Sequence, residues 1–245
     1  MRKLLIVLFL MVSQLSLIGA EAARLSDDKV LEKLQAALPD FKFGEVLNSP
    51  IKGIYQTEIL NGRNGQIIYL TDDGKYVFNG DLMKFEDNRL VSLREKELEQ
   101  KRVVALSKLS LDDLVIFSPE KTKAYVYVFT DVDCYYCQKQ HQEMPVLHDL
   151  GIEVRYLAYP RAGIGSPAYR KMASAWCAEN PAESLAALKN GETISDNVCQ
   201  PNPVAEHFRL GGQLGVNGTP AIVTSEGKIV PGYKSAVELA EILGL

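Results

Sequence analysis

The sequence predicts an α+β protein with two domains, because its two halves are patterned differently. The chain has 245 residues, of which 47% are hydrophobic and 24% charged, so it is long enough for one large domain or two small ones. Short β-type runs divided by turn residues extend from Phe41 to Phe85, whereas β and α patterns alternate after Pro119. We therefore predict an N-terminal domain over 23–86, a linker helix over 87–118 and a C-terminal α/β domain over 119–245.

Residues 1–22 are typical of a cleaved secretory signal peptide. Arg2 and Lys3 precede an apolar stretch from Leu4 to Val12, and small residues with an "AEA" pattern follow. A membrane anchor is the alternative, but polar residues interrupt the apolar stretch well before the roughly 18 residues that a span needs. We therefore predict export, without a membrane anchor after cleavage, into oxidising surroundings where thiols form disulfides.

The N-terminal domain is predicted to combine one helix with a small antiparallel sheet. The segment "LSDDKVLEKLQAALPD" has apolar residues at helical spacing, a cap at Ser26 or Asp27 and a stop at Pro39. The runs "GIYQTEIL", "GQIIYLT" and "GKYVFNG", separated by "NGRNG" and "DDG", are typical of β-hairpins. The following segment, "NRLVSLREKELEQKRVVALSKLS", is either a partly exposed connecting helix, which we favour, or a packed helix of one continuous domain.

The order of elements after Pro119 is that of a thioredoxin-like domain with a helical insertion. "AYVYVFT" is typical of a strand buried on both faces; the helix pattern "CYYCQKQHQEMPVLHDL", with a kink expected at Pro145, and the strand "IEVRYLAYP" follow it. Helices over about 166–189 and 203–214 come next. The strand pair "AIVTSEGKIVPG" and the helix "SAVELAEIL" complete the pattern.

Cys134 and Cys137 form a CxxC pair at the start of the helix that follows the first buried strand. The unpaired backbone N–H groups and the positive end of the helix dipole favour the thiolate of the first cysteine. A thiolate is the nucleophile of disulfide exchange, and the second cysteine is close enough to resolve a mixed disulfide. The spacing therefore predicts Cys134 as the attacking residue and Cys137 as the resolving residue.

Zinc binding and a purely structural disulfide are the alternatives for this pair. A zinc site needs two further ligands at suitable spacing, but Cys177 and Cys199 are 22 residues apart and the three histidines are scattered. A CxxC disulfide closes a ring too small to stabilise the fold much. For Cys177 and Cys199 we favour a structural disulfide that ties down the helical insertion, over a second redox pair. We expect no metal and no organic cofactor.

Further residues are predicted to surround the two sulfur atoms. Thr219 and Pro220 precede a strand and are the candidates for a cis-proline loop, whose backbone would pair with an extended substrate. Tyr135 and Tyr136 are expected to be exposed at the rim of the site, where aromatic rings can hold apolar substrate segments.

Three polar neighbours of the pair have alternative interpretations. Asp131 and Asp133 either raise the pKa of the Cys134 thiol or act as solvated caps of the helix, and we favour caps. His141 follows Cys137 by one helical turn and can modulate it, but a surface position is the expectation.

These features together resemble the DsbC-type periplasmic protein disulfide isomerases of Gram-negative bacteria. The resemblance covers essentially the whole mature chain and rests on "VFTDVDCYYCQKQH", "VRYLAYPRAG", "AWCAEN" followed by Cys199, "LGGQLGVNGTPAIV", "IVPGY" and "YLTDDGKY". It implies a V-shaped homodimer in which cystatin-like N-terminal domains pair and thioredoxin-like domains face an apolar cleft. One departure is Tyr135-Tyr136 between the cysteines, where the best-known members have Gly-Tyr.

The resemblance also implies residue roles and a function. Cys134 would be the nucleophile and Cys137 its partner, Thr219 and Pro220 the cis-proline loop, and Cys177–Cys199 the structural disulfide. The function would be rearrangement of incorrect disulfides in misfolded exported proteins, with the pair kept reduced by a DsbD-type membrane reductase. The alternatives are a DsbG-like reductase and a holdase chaperone. The formal net charge of −4, without a basic cluster, argues against nucleic acid as a partner.

Overall fold

The computed structural model describes residues 25–61 and 66–245, so the predicted signal peptide over 1–22 lies outside the described residues. Within those two ranges, no helix combines the length and apolar character that crossing a membrane requires. The described residues form a four-stranded, a two-stranded and a five-stranded sheet, with helices packed beside them.

The N-terminal domain contains the predicted helix and an antiparallel sheet in the order β1-β2-β3-β4. Val30 and Leu34 on one face of the helix pack with Tyr55 and Ile59 of the sheet in a core of their own. The predicted amphipathic helix and hairpins are therefore confirmed. These elements are α1 (Asp27–Ala37), β1 (Leu47–Asn48), β2 (Ile54–Ile59), β3 (Gln66–Thr71) and β4 (Val77–Asn79).

The predicted linker helix over 87–118 is wrong at both ends. A hairpin of β5 (Met83–Glu86) and β6 (Arg89–Ser92) comes first, and α2 (Leu93–Leu106) begins only after it. Asp87 and Asn88 adopt left-handed backbone angles, φ 47° and 61°, which suit a tight hairpin turn and interrupt a helix. At the other end, Val115–Phe117 is a strand of the C-terminal sheet.

The C-terminal domain has the predicted order of elements around a five-stranded sheet, β11-β10-β8-β9-β7. The two central strands, β8 and β9, are parallel, and the other pairs are antiparallel. The helix pattern after β8 is broken at Glu143, two residues before Pro145, as expected for a proline inside a helix. Its elements are β7 (Val115–Phe117), β8 (Ala124–Thr130), α3 (Tyr135–Gln142), α4 (Met144–Asp149), β9 (Ile152–Ala158), α5 (Pro167–Trp176), α6 (Pro181–Lys189), α7 (Val204–Gln213), β10 (Ala221–Thr224), β11 (Ile229–Pro231) and α8 (Ala236–Leu243).

Strand β8 is buried on both faces, which fixes the position of the segment that follows it. Val126 and Val128 point into one hydrophobic core, whereas Tyr127 and Phe129 point into the core on the opposite face. This alternation follows from the two-residue period of a strand. Because both cores hold β8, the loop at its carboxyl end, where Cys134 lies, starts from a rigid point.

Helix α2 is exposed on one side but anchored to the C-terminal domain by its second half. Leu106 lies in the same core as Phe129, and the buried Arg102 donates hydrogen bonds from Nε to the Leu214 carbonyl and from Nη1 to the Gly227 carbonyl, at 2.9 and 3.1 Å. The C-terminal core therefore starts before the predicted boundary at 119.

A disulfide joins Cys177, at the carboxyl end of α5, to Cys199, the pairing that the spacing favoured. The two residues are 22 positions apart, so loop-closure entropy in the unfolded chain corresponds to about 3 kcal/mol of stabilisation. The bond fixes the segment between α6 and α7 against α5.

Protonation of the buried His207 is expected to destabilise the folded protein in acid. Burial lowers its pKa to about 4, and its Nδ1 accepts a hydrogen bond from the Ala158 backbone N–H. In the unfolded chain a histidine binds a proton below about pH 6.5, while the folded chain resists protonation down to about pH 4; stability worth about 3 kcal/mol is therefore lost between these values. We expect urea unfolding at pH 7 and pH 4 to show this loss in the wild type and a smaller loss in His207→Gln.

An identical loss of unfolding free energy in wild type and His207→Gln would contradict the assignment to His207.

Candidate redox site

Cys134 and Cys137 lie where β8 passes into α3. Cys134 is the N-cap residue of α3, and its carbonyl accepts hydrogen bonds from the Cys137 and Gln138 N–H groups. Both thiols are free, and 3% of Cys134 is exposed whereas Cys137 has no exposed surface. A substrate approaching the site therefore meets the first sulfur of the pair.

The surroundings shift the pKa values of the two thiols in opposite directions. Burial raises the pKa of Cys134, but the Thr219 side chain, the neighbouring Cys137 and the positive charge of Arg161 together outweigh it, so that this pKa lies below its usual value. For Cys137 burial dominates and raises the pKa, although the charge of Lys189 and the Thr219 side chain act against it. At neutral pH the arrangement favours a thiolate at Cys134 and a protonated thiol at Cys137.

The loop of Thr219 and Pro220 packs directly against this pair. The peptide bond between them is cis, and the Cys134 thiol donates a hydrogen bond of 3.3 Å to the Thr219 carbonyl. The loop reaches the sulfur because β10, which follows it, pairs with β8 through Ala221 and Phe129. A cavity of about 470 Å³ separates this loop from α2.

Asp131 and Asp133 are not the solvated helix caps that we favoured. Asp131 is buried, and its carboxylate accepts hydrogen bonds from the backbone and Nε of Arg161, both at 3.0 Å, and from the Asp133 N–H. Asp133 is exposed and pairs with Lys171 at 2.7 Å. The Asp131 carboxylate thus holds Arg161 beside the site, and the guanidinium lowers the pKa of Cys134.

His141 is buried rather than on the surface, which corrects our expectation. Its Nδ1 lies 3.2 Å from the Tyr156 hydroxyl, and Phe117 packs edge-on against the ring. Burial, reinforced by the charge of Lys189, lowers its pKa to about 4. The reason is the approach of β7 and β9, which cover the face of α3 that local sequence spacing left open.

Tyr135 and Tyr136 are exposed, as predicted, with 71% and 57% of their surfaces accessible. Their rings meet edge to face, at 5.4 Å between centroids, and they are the first two residues of α3, directly after Cys134. They place apolar surface at the rim of the site.

Two charged residues near the sulfur atoms escaped the sequence analysis, Arg161 and Lys189. Arg161 follows β9, in a "PRAG" loop that has no distinguishing local pattern. Lys189 ends α6, where a lysine is commonly a solvated partner of the helix dipole. In the fold it is almost completely buried, a property that only tertiary packing determines.

Within the described residues, no group of three or more His, Cys, Asp and Glu side chains is arranged to hold a metal ion. The two sulfur atoms instead have Thr219, Arg161 and Lys189 around them. The site can therefore carry out nucleophilic exchange at sulfur with the protein's own groups.

Comparison with known proteins finds relatives over both domains. Residues 21–95 match the family described as disulfide bond isomerase protein N-terminal domain, and residues 112–245 match the thioredoxin-like domain family. The thiol:disulfide interchange protein DsbC of Escherichia coli (strain K12) is 34% identical over 218 residues, which are 89% of this chain and 88% of that protein. The DsbC of Haemophilus influenzae is 35% identical over 226 residues, 91% and 93% of the two chains.

Solved structures match over part of this chain. The crystal structure of a disulfide interchange protein from Neisseria gonorrhoeae has 33% identity and a TM-score of 0.50, and covers 56% of this chain and 96% of that one. A linker-deletion variant of Proteus mirabilis ScsC has 18% identity and a TM-score of 0.50, with 62% and 83% covered. The second likeness is one of fold alone.

Proposed function

This chain belongs to the DsbC family of thiol:disulfide interchange proteins, and from that premise we propose that it rearranges incorrect disulfides in exported proteins. It is a thiol:disulfide oxidoreductase with a thioredoxin-like domain. One observation carries the proposed chemistry. The Cys134 thiol, whose pKa is lowered, caps the N-terminus of α3, and the fully buried Cys137 lies in the first turn of that helix.

The proposed reaction starts with attack by the Cys134 thiolate on one sulfur of a substrate disulfide. A bond forms between Cys134 and that sulfur, and the second substrate sulfur leaves as a thiolate with the bonding electron pair. Another substrate thiolate then forms the correct disulfide and displaces Cys134, so that the number of disulfides is unchanged. If the substrate stalls, Cys137 attacks Cys134, the enzyme pair becomes a disulfide and the substrate leaves reduced by two electrons.

Thr219, Pro220, Tyr135 and Tyr136 are the proposed substrate-binding residues. The Thr219 carbonyl touches the Cys134 sulfur, which suits it to accept a backbone hydrogen bond from an extended peptide that reaches the same sulfur. The two exposed tyrosines offer ring faces to apolar side chains, which unfolded proteins expose.

We further propose a periplasmic homodimer that works with a DsbD-type membrane reductase. The matched N-terminal domain supports the dimer, and exposed apolar side chains on its outer strands and hairpin supply surface for one. They are Tyr76, Val77, Phe78, Phe85 and Leu90. Reduction by a partner is needed because every escape through Cys137 leaves the pair oxidised.

Recovery of native activity from a scrambled-disulfide substrate tests the proposal. The reduced protein is expected to restore activity in a buffer of reducing poise, faster than the buffer alone. Suppressed aggregation without recovery would replace the isomerase proposal with a holdase, and net loss of substrate disulfides without recovery would replace it with a reductase.

A further inference from the structure

The strongest unexplained feature of the molecule is a lysine buried beneath the redox pair. Lys189 has 2% of its surface exposed and ends α6, which packs against α3. Its Nζ donates to the Thr130 hydroxyl and to the Asp131 carbonyl, the last residue of β8 and the first of the active-site loop. The ammonium is thereby fixed to the backbone that carries Cys134.

Among the described residues, no carboxylate forms an ion pair with this ammonium. Asp131, whose carbonyl accepts from Lys189, uses its carboxylate for Arg161 and for the Asp133 N–H. The acceptors of Lys189 are a neutral hydroxyl and a carbonyl. An ammonium buried without a counter-charge is costly, so a compensating interaction is expected nearby.

Cys137 is the acid that shares this burial. It is fully enclosed, and among the charges that act on it Lys189 has the largest effect. Its influence is mutual, since Cys137 is also the charge that most favours the ammonium form of Lys189. The ammonium of Lys189 and the thiolate of Cys137 therefore stabilise each other.

We propose that Lys189 is a positioning residue for the resolving step, in which its buried ammonium stabilises the thiolate of Cys137. This inference rests on the proposed function, because it assigns a role within the resolving reaction. Cys137 is otherwise a poor nucleophile, because it is fully buried and burial raises the pKa of its thiol. Lys189 supplies the positive charge that the interior lacks.

The resolving step needs no reactant beyond the mixed disulfide and the Cys137 thiol. Cys137 loses its proton to solvent and attacks the Cys134 sulfur of the mixed disulfide. The Cys134–Cys137 bond forms, the bond from Cys134 to the substrate breaks, and the substrate sulfur leaves with the electron pair as a thiolate. Lys189 keeps its proton throughout and acts through its charge.

Several other groups lie near the ammonium and affect the pKa of Lys189. Asp131, Cys134 and Asp133 favour its charged form, and the Tyr156 ring lies 5.7 Å from Nζ. His141 is neutral at pH 7, because burial and the charge of Lys189 lower its pKa to about 4. Burial lowers the pKa of Lys189 itself to about 8, so the cation prevails at neutral pH and is lost in alkali.

The test measures ionisation of Cys137 alone. In a Cys134→Ser background, thiolate absorbance near 240 nm is followed against pH with and without Lys189→Met. We expect Lys189→Met to raise the pKa of Cys137 by at least about one unit, which makes the thiolate about tenfold scarcer at a given pH below both values. Lys121→Met, which removes an exposed charge in the same domain, should leave the curve unchanged. Superimposed curves for Lys189→Met and its parent would overturn the proposal.

A second measurement keeps Lys189 and therefore decides the matter even if Lys189→Met does not fold. Lysine side chains labelled with ¹³C at Cε are titrated in Cys134→Ser and in Cys134→Ser/Cys137→Ser, so that Cys134, which also favours the ammonium form, is absent from both proteins. Since coupling between two sites is reciprocal, the buried lysine should titrate at higher pH in the protein that keeps Cys137, whose thiol can ionise. Equal titration in both proteins would refute the coupling. Neither measurement uses substrate, so failure in the scrambled-substrate assay would count against the proposed function alone.

Discussion

Replacing Cys134 with alanine is expected to reduce isomerisation of a scrambled substrate to the rate of the buffer alone. Cys134 is the sulfur at the helix N-terminus, in contact with the Thr219 carbonyl, and its pKa is lowered by Thr219, Cys137 and Arg161 against the effect of burial. The remaining Cys137 is fully buried and has a raised pKa, so it presents neither an accessible nor an ionised sulfur to a protein disulfide. Recovery of substrate activity measures the loss.

Cys137→Ala is the matched comparison, because it removes the other sulfur and leaves the attacking group in place. We expect it to retain attack and to accumulate mixed disulfides with substrate, visible as covalent complexes on non-reducing gels. Recovery of activity by Cys134→Ala at the wild-type rate would contradict the assigned order of the two cysteines. So would covalent complexes that persist in Cys134→Ala and vanish in Cys137→Ala.

The sequence was sufficient for those parts of the site that adjacent residues determine. A buried strand followed by CxxC puts the first sulfur at a helix N-terminus whatever the rest of the chain does, and Cys134 is found there. The alternation of Val126, Tyr127, Val128 and Phe129 predicts burial on both sides of β8, and each face has its own core.

What escaped prediction depends on residues far apart in the chain. Asp131 looked like a solvated cap, but Arg161, 30 positions later, folds onto its carboxylate. Lys189 looked like an ordinary last residue of a helix, yet α6 packs against α3 and buries it. Helix propensity also misplaced the linker, because the local turn at Asp87 and Asn88 decides where α2 can begin.

A truncation that removes the N-terminal domain must keep α2, because α2 packs with the C-terminal domain. A chain of residues 93–245 keeps α2, and with it Arg102 on the Leu214 and Gly227 carbonyls and Leu106 in the core beside Phe129. We expect it to fold as a monomer, to retain the low pKa of the Cys134 thiol and to isomerise a scrambled substrate poorly, because it lacks the N-terminal domains that we propose to pair the two copies. Sedimentation, thiol alkylation against pH and the scrambled-substrate assay measure these three properties.

A chain of residues 110–245 is the control that separates loss of the dimer from loss of the core. It lacks Arg102 and Leu106, which leaves two buried carbonyls without their donor and a cavity in the core, at a cost of at least about 3 kcal/mol in unfolding free energy. Urea unfolding should therefore distinguish the two truncations, although both lack the N-terminal domain. If residues 93–245 still sediment as a dimer, the interface lies in the C-terminal domain or α2, and the proposal that the N-terminal domains form the dimer is wrong. If 93–245 is a monomer that isomerises as well as the full chain, substrate rearrangement needs only one copy of the site around Cys134.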